Sequence, residues 1–273
     1  MSIFEWFGRG IATYLSQPLK GYAPLTTNDP ATLAATLQPC DVLLVEGNTR
    51  FSKVIKTLTQ STWSHACICI GDALGPPPAD GSEPNILLEV DVLDGVRVVP
   101  LSMYARFHTR ICRPVSLTYD DRRRIVEGVT SRLGHQYDLK NIIDLMRYLL
   151  PLPNLVPAKW RRKALAMGSG EPTRAICSTL IAQAFQSISY PVLPRKMKAW
   201  KHEPNGERHI EEILQIRHHS LYTPRDFDIS PYFEVVKPTL SRGFDYTKLR
   251  WTHLTDSKTI SVMSTQEMQR FMG

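Results

Sequence analysis

A cysteine stands at the opening of an apolar-periodic run, Ala175-Ile176-Cys177-Ser178-Thr179-Leu180-Ile181. Far upstream a histidine opens a buried-strand pattern, Ser64-His65-Ala66-Cys67-Ile68-Cys69-Ile70. Between them Leu87-Leu88-Glu89-Val90 sets a carboxylate among apolar neighbours, where a charge is expensive without a partner. A thiol at a helix start, an imidazole on a strand and a carboxylate on the next strand are the parts of a cysteine nucleophile site. Each has a plainer reading. Cys177 can be a small buried packing residue, His65 a hydrogen-bonded core histidine, and Glu89 a charge on an exposed sheet face.

The pattern along the chain is mixed. Short apolar runs over 41–47, 65–70, 86–93, 96–100, 110–114 and 232–236 read as strands, and Asp94-Gly95 is a hairpin signal between two of them. Gly75-Pro76-Pro77-Pro78 and its neighbours to Pro84 must be loop, because consecutive prolines cannot join a ladder. Helical spacing marks 51–58, Asp120–Leu133 closed by Gly134, Asp138–Leu150, the run after Cys177 to about Ser189, and Ile210–Ile216. Residues 16–36 read as an irregular lead-in. If strands 65–70 and 86–93 pair across the proline loop, Glu89 lies beside His65, with Asp91 as the same-parity alternative.

Metal binding competes with this reading, since His65, Cys67 and Cys69 alternate and project from one strand face. No C-x-x-C spacing accompanies them, so Cys67 and Cys69 are read as packing beneath His65, and neither metal nor cofactor is expected. Five cysteines leave one over in any disulfide scheme, which favours free-thiol chemistry in a reducing compartment. Hydrophobic content of 42% is enough for an ordinary core. There is no run of 18 apolar residues and no leader with a basic start, so a cytoplasmic location is expected.

Ile3, Phe4, Phe7, Ile11, Tyr14 and Leu15 make an amphipathic N-terminal helix, read as docking on the chain's own core, with peripheral membrane contact as the alternative. The net charge of +7 suits anionic surroundings, but the excess is modest and is read first as a plain solvated surface. No RNA-binding or helix-turn-helix pattern is present, and nucleic acid is not expected.

The order Asp41-Val42-Leu43-Leu44, Ser64-His65-Ala66, Leu88-Glu89 with Gly95-Val96, Gly134-His135-Gln136-Tyr137-Asp138, then Cys177-Ser178 resembles the NlpC-like cysteine peptidases with a circularly permuted papain fold, of the YiiX/YebB-like type. Tyr222–Phe227 and Phe233–Val236 are similar to that group as well. Histidine precedes cysteine here, as permutation requires.

The resemblance covers about 38–238 and implies an α+β domain with an antiparallel sheet against helices that include the nucleophile helix. It implies Cys177 as nucleophile, His65 as general base and Glu89 as orienting residue, with Tyr137 lining the site; the helix start itself makes the backbone N–H of Cys177 or Ser178 the expected oxyanion donor. Residues 1–37 form an N-terminal helix and linker, 147–172 a helical and basic insertion, and 239–273 a polar tail. The expected activity is amide hydrolysis of a peptide or cell-wall stem peptide through a thioester. Lipid acyl-ester hydrolysis or acyl transfer at the same site is the alternative, since lecithin:retinol acyltransferase-like enzymes look like they share the scaffold. A degenerate binding module is the non-enzymatic option.

Overall fold

The structure, a computed structural model, describes residues 10, 13–19, 21–22, 29–91, 94–135, 176–202 and 208–248. The expected helix over Asp138–Leu150, the insertion over 147–172, Tyr137, nearly all of the N-terminal helix and most of the tail lie outside them.

Val42–Val45 (β1) consists of four apolar residues, all buried, as a strand covered on both faces must be. It takes the middle of a six-stranded antiparallel sheet. The other strands are His65–Cys69 (β2), Leu87–Asp91 (β3), Gly95–Val99 (β4), Thr109–Pro114 (β5) and Phe233–Val236 (β8), in the order β4-β3-β2-β1-β5-β8. Side chains alternate across β2. Ala66 and Ile68 face a core with Ile125, Val129, Ile181, Phe185, Phe227 and Phe233. Cys67 and Cys69 face a second core with Leu33, Leu43, Val45, Leu87 and Ile111. The two-residue period therefore separates the two cores, one on each face of the sheet.

Helices cover the sheet as the apolar spacing predicts. Pro30–Thr36 (α1) begins at Asp29, whose carboxylate accepts from the Thr32 amide, with Pro30 in the first turn. This is a departure from the irregular lead-in expected over 16–36. The Asp-Pro start signal was present, and Leu33 is buried in the second core. Arg50–Thr59 (α2) is capped by Thr49 and closed by Gln60 at φ 47°. Tyr119–Thr130 (α3) starts in a reciprocal Thr118–Asp121 capping box. Ile176–Ser187 (α4) brings Ile181, Ala182 and Phe185 onto the sheet. Pro224–Asp228 (α5) and Pro238–Ser241 (α6) are short. Leu15 is buried in the first core. Among the described residues no helix is long and apolar enough to cross a membrane.

One expectation is corrected. Ile210–Ile216 is not a helix; Arg208–Gln215 (β7) pairs antiparallel with Arg195–His202 (β6) as a separate two-stranded ribbon. Ile210, Ile213 and Leu214 do have helical spacing, but a matched partner strand of eight residues outweighs so short a periodic signal.

One buried ion pair ties the sheet to its cover. Arg113 on β5 donates from Nε and Nη2 to both Asp41 oxygens at 2.8 and 2.7 Å, and to the Thr36 carbonyl that ends α1. Asp41 is fully buried, so removing either partner strands a charge in a low-dielectric site. Arg113→Ala is expected to lower stability by about 3–5 kcal/mol, read as a fall in the urea midpoint. A change below about 1 kcal/mol would show the pair to be a surface-like contact.

Candidate functional site

His65 is the first residue of β2. Its backbone position is secured one residue earlier by Ser64, whose amide donates to the Val45 carbonyl and whose hydroxyl accepts from the Gly47 amide at 2.9 Å. Gly47 has to be glycine. A Cβ there would sit 2.2 Å from the Ser52 hydroxyl and 2.9 Å from that of Ser64, closer than real Cβ contacts come.

Strand pairing delivers the carboxylate. Ile68 lies opposite Leu88, and the same register sets Glu89 beside Cys67 and next to the imidazole. Glu89 Oε2 accepts from His65 Nε2 at 2.7 Å, from the Tyr104 hydroxyl, and from the Cys67 thiol at 3.6 Å. Glu89 Oε1 accepts from Arg97 Nε at 2.8 Å. Arg97 stands directly across the β3–β4 hairpin from Glu89 and also meets Asp94 at 2.5 Å and Asp91 at 3.5 Å. The side chain of Glu89 is 2% exposed and that of His65 23%, so the carboxylate is sealed while one side of the ring is open.

Cys177, in the first turn of α4, meets the same ring. It is 5% exposed and hydrogen-bonded with His65. Since Glu89 engages Nε2, Nδ1 is the ring nitrogen left for the sulfur. The three groups line one cavity of about 220 Å³, walled also by Phe51, Phe107 and Asn48.

The electrostatics follow from this burial. Burial by itself raises the Glu89 carboxyl, but the hydrogen bond and charge of His65, with Tyr104 and Arg97 behind them, hold it down at about 2. Burial opposes a charged His65 ring, yet Tyr104, Cys67 and Cys177 around it keep it well above the ordinary imidazole value, and the Glu89 carboxylate at 2.7 Å acts the same way. Burial raises Tyr104, which thus stays a hydrogen-bond donor. Burial also pushes Cys67 up to about 11, and Cys40 and Cys69 to about 12.

Among the site residues expected from sequence, the structure gathers Cys177, His65 and Glu89. Asp91 turns instead to Arg97. Ser178 is fully buried, and its hydroxyl donates to the Tyr222 carbonyl at 2.7 Å. It anchors the helix start. Tyr137 is outside the described residues. Sequence reasoning missed Arg97 and Tyr104. The Asp94-Gly95 signal marks the hairpin but gives the wrong register, since a two-residue turn there would set Glu89 opposite Pro100, whereas Asp91 pairs with Gly95 and Glu89 with Arg97. Tyr104 lies in a single 3-10 turn, Leu101–Tyr104, and no pattern in the sequence points to it. The ligand atoms of His65, Cys67 and Glu89 all lie within 4.8 Å of one another; Glu89, rather than Cys69, completes that cluster.

No family model matches the chain, and no curated protein matches it. Among solved structures it is similar to the crystal structure of the metalloprotein yiiX from Escherichia coli O157:H7. The two share 13% identity at a TM-score of 0.41, over 73% of this chain and 96% of that one.

The site predicts a pH dependence of stability. Glu89 is held at about 2 against an ordinary 4.5, so the unfolded chain binds the extra proton between those values. Its contribution is present above about pH 4.5 and is lost as pH falls toward 2. His65 is shifted upward from 6.5, so its contribution is full below 6.5 and is lost as pH rises through the folded value. Urea midpoints of metal-free protein should therefore decline on both sides of this window. The acid-side decline should shrink in Glu89→Gln; equal slopes in the two proteins would contradict the assignment.

Proposed function

We propose that this chain is a cysteine-dependent hydrolase of the permuted papain type, cleaving an amide bond through a thioester on Cys177. The observation that carries the reading is the continuous Cys177–His65–Glu89 contact at the wall of one cavity. A nucleophile, a base and a buried group orienting that base are the parts such chemistry needs, in the required sequence of contacts.

In this reading Cys177 gives its proton to His65 Nδ1 and the sulfur attacks the substrate carbonyl carbon. The carbon–oxygen double bond opens to an oxyanion. The positive end of α4, where the sulfur sits, favours that charge. Collapse re-forms the carbonyl and breaks the carbon–nitrogen bond, and His65 returns the proton to the departing amine. Water, deprotonated by His65, then attacks the thioester, releasing the carboxylic acid and restoring the thiol. Glu89 keeps Nε2 protonated and the ring in place throughout, while Arg97 and Tyr104 hold Glu89 as an anion. The substrate class expected is a peptide, with cell-wall stem peptides as the first candidates. Lipid acyl esters enter as the competing arm of the test.

The protein is incubated with peptidoglycan fragments or with phospholipid vesicles, quenched in acid, and weighed intact. An acyl adduct mapping to Cys177, formed from the peptide substrates, is expected. His65→Ala should lower the rate of adduct formation by about 10²–10⁴, and Cys177→Ala should abolish it. An adduct from phospholipid alone would move the substrate to lipid esters. No adduct from any substrate, or equal formation in His65→Ala, would remove the enzyme reading.

A further inference from the structure

We propose that His65, Cys67 and Glu89 form a zinc site under the cavity, and that an ion there switches off the Cys177–His65 pair. The second half rests on the catalytic reading above; the site itself does not.

The donor set carries the first half. An imidazole nitrogen, a thiol sulfur and a carboxylate oxygen come within 4.8 Å of one another and are the three ligand types zinc prefers. Zinc bonds of about 2.0–2.3 Å put neighbouring ligand atoms of a tetrahedron roughly 3.3–3.7 Å apart. Cys67 Sγ already lies 3.6 Å from Glu89 Oε2. His65 Nε2, at 2.7 Å from the same oxygen, has to part from it by roughly half an ångström to admit an ion.

The supporting groups are in place as well. Arg97 holds Glu89 Oε1 at 2.8 Å and leaves Oε2 as the ligand atom, and the Tyr104 hydroxyl fixes the orientation of that oxygen. Such outer partners aim a ligand and tune the ion. Access runs through the open side of His65, since Glu89 is sealed and Cys67 is fully buried. Cys67 has no task in amide hydrolysis, yet its sulfur is turned to the same carboxylate oxygen as the imidazole.

The consequence for chemistry is a tautomer change. Zinc on Nε2 needs that nitrogen's lone pair, so a neutral ring must carry its proton on Nδ1. Nδ1 then donates and cannot accept the proton of Cys177. Glu89, turned to the ion, no longer orients the ring. Cys67 enters as a thiolate, its proton passing to solvent, and no oxidation or reduction is involved.

The full chain, stripped with EDTA, is titrated with zinc sulfate against a chromogenic chelator. Iodoacetamide labelling of Cys177 is followed in parallel by peptide mass. Wild type should bind one equivalent, and Cys67→Ala should bind at least tenfold more weakly, while Cys177→Ala binds as wild type. Cys67→Ser, which keeps the volume, serves if Cys67→Ala does not fold. Zinc should slow Cys177 labelling at least tenfold in wild type, EDTA should restore it, and Cys67→Ala should not respond to the same zinc concentration. Wild-type affinity in the folded Cys67 variant overturns the site. So does loss of zinc in Cys177→Ala, which would put the ion on the other side of the ring. Metal-free labelling that is unchanged in His65→Ala would count against the catalytic reading and leave the zinc stoichiometry standing, so the two failures are separable.

Discussion

A carboxylate that is 2% exposed has to be compensated or it will not remain an anion, and Glu89 is compensated from every side the fold offers. His65, Tyr104, Cys67 and Arg97 all donate to it. They come from β2, from the turn after β4, and from β4 itself. Strand register, hairpin register and the placement of the 3-10 turn must therefore all be correct together for this one side chain to be tolerated. The geometry of the imidazole is a by-product of that satisfaction, since a ring bound by so fully held an acceptor has little freedom to rotate.

The thiol arrives by a different route. β2 and β3 are joined through a local hairpin across the proline loop, whereas Cys177 is carried in by α4 from much later in the chain. The body of α4 is held by apolar contacts: Ile181, Ala182 and Phe185 pack in the first core. Phe185 meets Phe233 and Tyr190 edge-on or tilted at 5.1 and 5.5 Å. A polar lattice thus fixes the imidazole and an aromatic cluster fixes the helix that presents the sulfur, and the cavity lies where the two meet.

Much of this was legible before any coordinates. Period-two alternation in β2 and the apolar run around Glu89 are local signals, and pairing the two strands across the proline loop brings His65 and Glu89 together. The cysteine at a helix opening was equally local. Pro30–Thr36 was missed despite its Asp-Pro start because the surrounding threonines and asparagine resemble loop. Ile210–Ile216 departs from expectation because Ile210, Ile213 and Leu214 fit a helical period over a run too short to decide, and the partner strand outweighs it. Tyr104 could not be anticipated, since a single 3-10 turn leaves no periodic trace. The clustering of Cys67 with Glu89 instead of Cys69 depends on how far a strand pair extends, which the sequence does not state.

The Ser178 hydroxyl bound to the Tyr222 carbonyl has a consequence for the minimal folding unit. The start of the thiol-bearing helix is pinned by a segment downstream of it. That segment leads through the Thr223–Asp226 capping box to Phe227 and on to β8, which closes the β5 side of the sheet. At the other end Leu33 seals the opposite face, and Thr36 accepts the Arg113 guanidinium. A fragment trimmed to the span between the histidine and the cysteine would keep Cys177, His65 and Glu89 and lose the means to hold them. A piece that keeps all of these anchors has to run at least from Leu33 to Val236.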